Sequence, residues 1–258
     1  RYISMKKRRW FSLFLSFALL LPLFSLTSAD AYEDFTLDAK AGLLIEADTG
    51  EILYEKNAHQ ENFPASLTKV MVALLVFEAI DEGKIALTDS VTATESAFEG
   101  LSSDGSTANI VPGETMTVEQ LLNCMLIVSA NEACNILGET LYGSVDAFVA
   151  RMNERAAELG CEHTHFANAT GLHNSQHYTT AWDLYLITRE ALKHDKFMEI
   201  CNSKSYTVPA TNMTDKPREL HSTNFLISNW RARGYVYRDA QGIKTGSSFR
   251  PPCAAAAT

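Results

Sequence analysis

Pro64-Ala65-Ser66-Leu67-Thr68-Lys69-Val70-Met71-Val72-Ala73-Leu74-Leu75-Val76-Phe77 sets a serine and a lysine, three residues apart, at the head of a nearly all-apolar run. Helix formers fill many of its positions, and Glu82-Gly83 supplies a stop. A run greasy on every side predicts a buried helix, not a surface amphipath. Ser66 then stands at the N-terminus of a core helix, with Lys69 one turn on and on the same face. A serine hydroxyl is a poor nucleophile until a neighbouring base takes its proton. A lysine in apolar surroundings has its pKa pushed down, so a neutral amine becomes accessible. The helix N-terminus also favours developing negative charge. The plainer alternative makes Ser66 a cap and Lys69 a solvated first-turn residue.

Two further stretches bear on that choice. Leu121-Leu122-Asn123-Cys124-Met125-Leu126-Ile127-Val128-Ser129-Ala130-Asn131-Glu132-Ala133 reads as a hydrophobic helix, a polar elbow and the start of a second helix over 133–141. Buried hydroxyl and amide groups must find partners, so Ser129 and Asn131 need each other, Lys69 or a ligand. A capping turn is compatible with that role. Gln241-Gly242-Ile243-Lys244-Thr245-Gly246-Ser247-Ser248 reads as a strand whose Gly246 permits close approach of a ligand backbone. An extended substrate can pair along such an edge, and Lys244 and Thr245 would then meet its carboxylate. Ser-x-x-Lys recurs at Ser4 to Lys7 and Ser-x-Asn at Ser222 to Asn224, whereas Lys-Thr-Gly occurs once. The weight lies in the order of the three and in their gaps, 63 residues from Ser66 to Ser129 and 113 from Asn131 to Lys244.

In that order the triplet resembles the signature set of the penicillin-recognising serine acyltransferases, the penicillin-binding proteins and serine β-lactamases. Phe148-Val149-Ala150-Arg151-Met152-Asn153-Glu154-Arg155-Ala156-Ala157-Glu158-Leu159-Gly160 resembles the low-molecular-mass D-alanyl-D-alanine carboxypeptidases. So do Thr164-His165-Phe166-Ala167-Asn168, Gly171-Leu172, Thr179-Thr180-Ala181-Trp182-Asp183-Leu184 and the strand–turn–strand Ala41-Gly42-Leu43-Leu44-Ile45-Glu46-Ala47-Asp48-Thr49-Gly50. The resemblance runs from about residue 35 to the end. It implies a serine-type D-Ala-D-Ala carboxypeptidase that trims peptidoglycan stem peptides and binds β-lactams covalently. It makes Ser66 the acylated nucleophile, Lys69 its general base and Ser129 the proton shuttle to the leaving group. Asn131 becomes a substrate amide contact, and Lys244 with Thr245 the carboxylate anchors. The oxyanion hole falls to the backbone N–H groups of Ser66 and Ser247. No cofactor and no metal is implied.

The remaining composition sets bounds. Residues 6–9 are Lys-Lys-Arg-Arg, an apolar run follows from Trp10 to Phe24, and a small-residue stretch ends Ala29-Asp30-Ala31. That pattern is a secretory signal, which places the protein outside the cytoplasm. The four residues before Met5 read as upstream translation. Residues 1–31 are therefore set apart from a transpeptidase-like catalytic domain over 32–258. The domain carries 17 basic and 30 acidic residues, net −13, a balance that argues against nucleic acid as a partner. Cys124, Cys134, Cys161, Cys201 and Cys253 are odd in number and match no disulfide framework. Cys124 and Cys134 fall on hydrophobic helices, where cysteine is a small apolar group. Cys161, His163, His165, His173 and His177 match no standard zinc spacing and read as loop and turn residues.

The organisation is α+β, of β-lactamase/transpeptidase type. Helices fill roughly 64–200, and strands over 41–54 and from 205 onward meet in an antiparallel sheet formed by both chain ends. In the family a strand and a C-terminal helix follow the Lys-Thr-Gly strand, often with a β-rich domain and an amphipathic membrane anchor. This chain stops at Thr258, so the expectation is a catalytic domain incomplete at its C-terminus, its carboxylate-binding arginine in the missing part. Arg250-Pro251-Pro252-Cys253 departs from the family's Ala-Gly before the cysteine, and proline cannot donate to a ladder. Two other functions share the motifs. A class A β-lactamase needs a glutamate that activates a deacylating water, and Glu162 is the one candidate between Leu159 and Thr180. A non-catalytic sensor that stays acylated would need a membrane-spanning segment.

Overall fold

The apolar run becomes α1 (Lys69–Asp81), with ten of its thirteen residues buried. A computed structural model describes residues 36–247, 255 and 256; the proposed signal, Ser248 and the Pro251-Pro252-Cys253 stretch lie outside them. The chain divides into residues 1–38, with no helix or strand among those described, and residues 39–258, to which everything below belongs. A helix apolar all round needs neighbours on every side. Around α1 these are α2 (Val118–Ile127), α3 (Asn131–Tyr142), α4 (Val145–Glu158) and α5 (Ala181–Ala191). A short α6 (Asp195–Cys201) packs on α2.

Local chemistry sets the helix ends. Thr117 Oγ1 accepts the Gln120 N–H at 3.2 Å while Gln120 Oε1 accepts the Thr117 N–H at 2.9 Å, a capping box that starts α2. Ser144 and Thr180 cap α4 and α5 with single bonds, their hydroxyls accepting the Ala147 and Asp183 N–H groups. Gly143 ends α3 in the left-handed conformation, φ +80°.

The strands pair antiparallel, as an α+β chain requires. Strand β1 (Gly42–Ile45) pairs with β2 (Ile52–Lys56), and β3 (Ser90–Thr92) with β4 (Thr115–Thr117). Strand β5 (Ser205–Val208) pairs with β6 (Arg218–His221), both against α2, and β7 (Thr245–Gly246) pairs with β8 (Ala255–Ala256). Three expectations need correcting. The ladders from the two chain ends are separate two-stranded pairs among the described residues, not one continuous sheet. Among the described residues, the strand expected over 241–248 is formed by Thr245–Gly246, which pair with Ala255–Ala256, and 241–244 are not in a strand. The region between α1 and α2 holds no α-helix, only a 3-10 turn at Ser96–Phe98: Val91 alone faces inward on β3, and Ile110 and Met116 are buried from a loop and a strand.

The crossing of α3 with α4 depends on a missing side chain. A Cβ at Gly138 would stand 2.4 Å from Cδ1 of the fully buried Phe148. Gly138→Ala should therefore lose about 1–3 kcal/mol from overpacking, although alanine is the better helix former by about 1 kcal/mol. Urea unfolding measures the balance; a net gain would mean that α4 steps back freely.

Candidate active site

Ser66 lies on a single 3-10 turn, Ala65–Thr68, that precedes α1. The expectation placed it at the N-terminus of the core helix; it stands there on the 3-10 turn that leads into α1, after Ala65 at φ +49°. That left-handed conformation costs a non-glycine residue about 1–3 kcal/mol and persists where its surroundings over-determine it. Two glycines do so. A Cβ on Gly171 (φ +84°) would fall 1.9 Å from the Ala65 carbonyl oxygen, and one on Gly246 would fall 3.1 Å from the Pro64 carbonyl oxygen. The serine turn is held between two bare backbones. Ser66 itself is half-buried, and its N–H is among those the start of a helical turn leaves unpaired.

Lys69 is fully buried. Its Nζ donates to Ser66 Oγ at 3.2 Å, to Asn131 Oδ1 at 2.9 Å and to the Thr170 carbonyl at 2.6 Å. All three acceptors are uncharged. Burial pushes the Lys69 pKa below the ordinary lysine value, with Cys134 and Glu132 opposing. Glu132 is a weak counter-charge because its carboxylate is engaged elsewhere. Its Oε1 accepts from Thr107 Oγ1 at 2.7 Å and from the Ala108 N–H at 2.8 Å. The same loop is tied to α3 by the Asn131 N–H, which donates to the Ser106 carbonyl at 2.9 Å.

Asn131 is the first residue of α3 and spends its side chain on Lys69 rather than on a cap. Ser129, in the turn between α2 and α3, takes φ +66°. Its hydroxyl is buried and has no hydrogen-bond partner among the described residues. Lys244 is almost fully buried, and its Nζ donates to the Thr245 carbonyl at 2.8 Å. Burial first, then repulsion from Lys69, brings its pKa down to about 7. Thr245 Oγ1 meets Thr223 Oγ1 at 2.7 Å, and Gly246 backs onto the serine turn. Ser247 is exposed at the end of β7. The structure thus gathers Ser66, Lys69 and Asn131 through direct bonds. Gly246 is brought against the same turn, and Lys244 within charge range of Lys69.

A profile of the D-alanyl-D-alanine carboxypeptidase family matches residues 27–249. The chain belongs to that family. It is similar to the carboxypeptidase DacF of Bacillus subtilis, 39% identical over 209 residues that cover 81% of this chain and 51% of the relative. The Escherichia coli carboxypeptidase DacA is 33% identical over 215 residues, 81% of this chain and 50% of the relative. The chain therefore spans about half the length of these relatives. Among solved structures, the Streptomyces K15 DD-transpeptidase superposes with a TM-score of 0.74 at 30% identity, covering 84% of this chain and 83% of that one. The penicillin-binding protein PBP3 of Streptococcus pneumoniae gives 0.72 at 30% identity, over 83% and 61%. These likenesses carry the α+β, transpeptidase-like fold.

Sequence reasoning missed several residues of this carboxypeptidase-family site. The Thr170 carbonyl is a main-chain acceptor and leaves no mark in residue type. Its loop did carry one: Asn168 Oδ1 accepts from the N–H groups of Thr170 and Gly171, the local turn that Asn-x-Thr-Gly favours. Glu132 reads as one more acid after the Ser-x-Asn motif. His177, expected as a loop residue, is buried against Thr68. The other loop histidines separate: His163 meets Glu61, His165 packs on Tyr178 and His173 on Phe63. Cys124, Cys134, Cys161 and Cys201 are free, buried thiols, with burial raising each to about 11 or 12.

A buried lysine whose folded pKa is depressed costs stability wherever it is charged, and stability recovers as pH rises through the range in which the unfolded chain holds more protons. For Lys244 that cost is full below about pH 7 and disappears as pH rises through 10.5. Lys244→Met should accordingly raise the Tm, most below pH 7 and little near pH 10.5. A pH-independent change in thermal melts would refute the depressed pKa.

Proposed function

We propose that this chain is the acyl-transfer domain of a serine-type D-Ala-D-Ala carboxypeptidase, which removes the terminal D-alanine from peptidoglycan stem peptides and is acylated by β-lactams. The observation that carries the reading is the fully buried Lys69 amine, 3.2 Å from Ser66 Oγ and bonded to uncharged acceptors alone. A lysine so placed reaches its neutral form at moderate pH and can act as a base. Ser66 Oγ transfers its proton to Lys69 and attacks the carbonyl carbon of the terminal peptide bond. The carbonyl oxygen takes the negative charge toward the N–H groups of Ser66 and Ser247. The C–N bond breaks as the leaving nitrogen takes a proton by way of Ser129, whose unpaired hydroxyl supports a relay role. Water then attacks the ester on Ser66, and its proton passes through Lys69 to the departing serine oxygen. The C–O bond to Ser66 breaks and releases the shortened peptide as its acid. Lys244 and Thr245 receive the substrate carboxylate, and a bound anion favours the charged lysine. Asn131 contributes an amide beside the reacting bond.

The β-lactamase alternative receives no support from the geometry, since Glu162 is exposed and no acid is bonded to Lys69. The work is assigned to the outer face of the cytoplasmic membrane, where the substrate lies and to which a leader in residues 1–31 would export the chain. Among the described residues no helix is long and apolar enough to cross a membrane.

Ser66 should form a covalent penicilloyl adduct, seen as a mass increase on its tryptic peptide; an adduct on Ser129 with Ser66 free would overturn the assignment. Lys69→Ala should slow acylation by about 10²–10⁴-fold, the usual cost of losing a general base. Amidating a D-Ala-D-Ala peptide should cut kcat/KM by one to two decades, since each charge-assisted contact is worth about 1.5–3 kcal/mol. Lys244→Ala should erase most of that preference. Equal hydrolysis of acid and amide by the unmutated chain would favour an endopeptidase or esterase.

A further inference from the structure

The serine turn has a buried support that starts at an unspecified position of the Ser-x-x-Lys motif and ends outside all three motifs. Thr68, directly before the lysine, is fully buried. Its Oγ1 donates to the Ala65 carbonyl at 2.8 Å and meets His177 Nε2 at 2.7 Å. On the other side of the imidazole, the Ala167 N–H donates to Nδ1 at 3.1 Å. These partners assign the tautomer. Nδ1 accepts, so Nε2 carries the hydrogen and gives it to Thr68 Oγ1, whose own hydrogen is already committed to Ala65. The relay runs one way, from the Ala167 N–H through the ring and the hydroxyl to the Ala65 carbonyl. An imidazolium would set a second N–H against that of Ala167, so the ring fits here only as the neutral base. Burial, followed by the nearby His165, Lys69 and His173, holds its pKa down to about 4.

The two ends of this relay hold the two groups on which the Lys69 amine depends. One end grips Ala65, the left-handed residue at φ +49° that aims the serine turn and whose carbonyl lies hard against Gly171. The other grips Ala167, beside the Asn168 turn whose Thr170 carbonyl takes the shortest of the three Lys69 bonds. No hydrogen bond joins His177 to Ser66 or Lys69 among the described residues, so any effect on them passes through Thr68 and Ala167. We infer that His177 is a positioning residue for acylation: it fixes the Ser66 turn against the Thr170 loop and thereby sets the approach of Ser66 Oγ to Lys69 Nζ. The inference rests on Ser66 and Lys69 being nucleophile and base.

Acylation of the full chain by a fluorescent penicillin, resolved into a non-covalent dissociation constant and an acylation rate constant, tests it. His177→Leu should slow the acylation step by about 10–100-fold, the scale of an ångström-sized misplacement, with the dissociation constant within a few-fold. His177→Gln, which keeps one acceptor and one donor, should recover most of the rate. Thr68→Val breaks the same relay, so the double variant Thr68→Val/His177→Leu should be no slower than the slower single one. An unchanged rate in His177→Leu, losses that multiply in the double variant, or a folded His177→Gln as slow as His177→Leu would each overturn the inference. If His177→Leu does not fold, the decision passes to the pair of Thr68→Val and His177→Gln. A slow Thr68→Val beside a near-normal His177→Gln supports the relay, and an undiminished Thr68→Val overturns it. An unmutated chain that is not acylated at Ser66 removes the nucleophile assignment and this inference together, a result distinct from equal acylation of every variant.

Discussion

A lysine amine buried without a carboxylate partner is the constraint on which the rest of this site depends. Removing a charge from water is costly unless it is paired. The neighbourhood of Lys69 withholds the pairing and offers a hydroxyl, an amide oxygen and a main-chain carbonyl instead. Those three satisfy the donors of the amine without anchoring its charge. Burial therefore lowers the Lys69 pKa, which is the property that the proposed role of general base requires. Holding such a group lowers stability, a common feature of sites selected for chemistry.

The surrounding structure keeps the amine in place by removing slack from the backbone. Ala65 and Ser129 both stand in left-handed conformations, and both flank the reacting groups. Gly171 closes on the serine turn at a distance that no Cβ would permit, and Gly246 at one where a Cβ would be tightly crowded. Glu132 and Asn131 bind the 106–110 loop to the start of α3, which fixes the amide oxygen that Lys69 uses. Each of these contacts joins a different part of the chain, and α1 at the centre of four helices gives them a common floor. A change of an ångström in any one would be felt at Ser66.

Electrostatically the site is a pair of buried cations that disfavour each other. Lys244 is pushed down by burial and by Lys69, and among the described residues its amine donates to the carbonyl of its own neighbour, Thr245. The Ser129 hydroxyl, two residues before Asn131, is buried with no hydrogen-bond partner among the described residues. In the proposed reaction an incoming carboxylate would relieve Lys244, and the transferred proton would settle on Lys69. The empty-handed state of these groups is therefore suited to an anionic substrate, although it is unfavourable in the free protein.

The amino-acid sequence alone determined which residues could do chemistry and what kind of helix carries them. Ser66 and Lys69 at i and i+3 above an all-apolar run require a buried helix with its polar head gathered at one end, because periodicity and hydrophobicity are local properties. Ser129, Asn131, Lys244 and Thr245 were legible for the same reason, as polar groups set into apolar or strand-like context. Only the tertiary structure decided how the base is held. The Thr170 carbonyl is main chain, so no residue type announces it. The relay from Ala167 through His177 to Thr68 joins positions about a hundred residues apart. Among the described residues the strands from the two chain ends form separate ladders, because pairing depends on which backbone edges meet in space. Long-range hydrogen bonds and close backbone approaches are set by packing, and packing is a property of the whole folded chain.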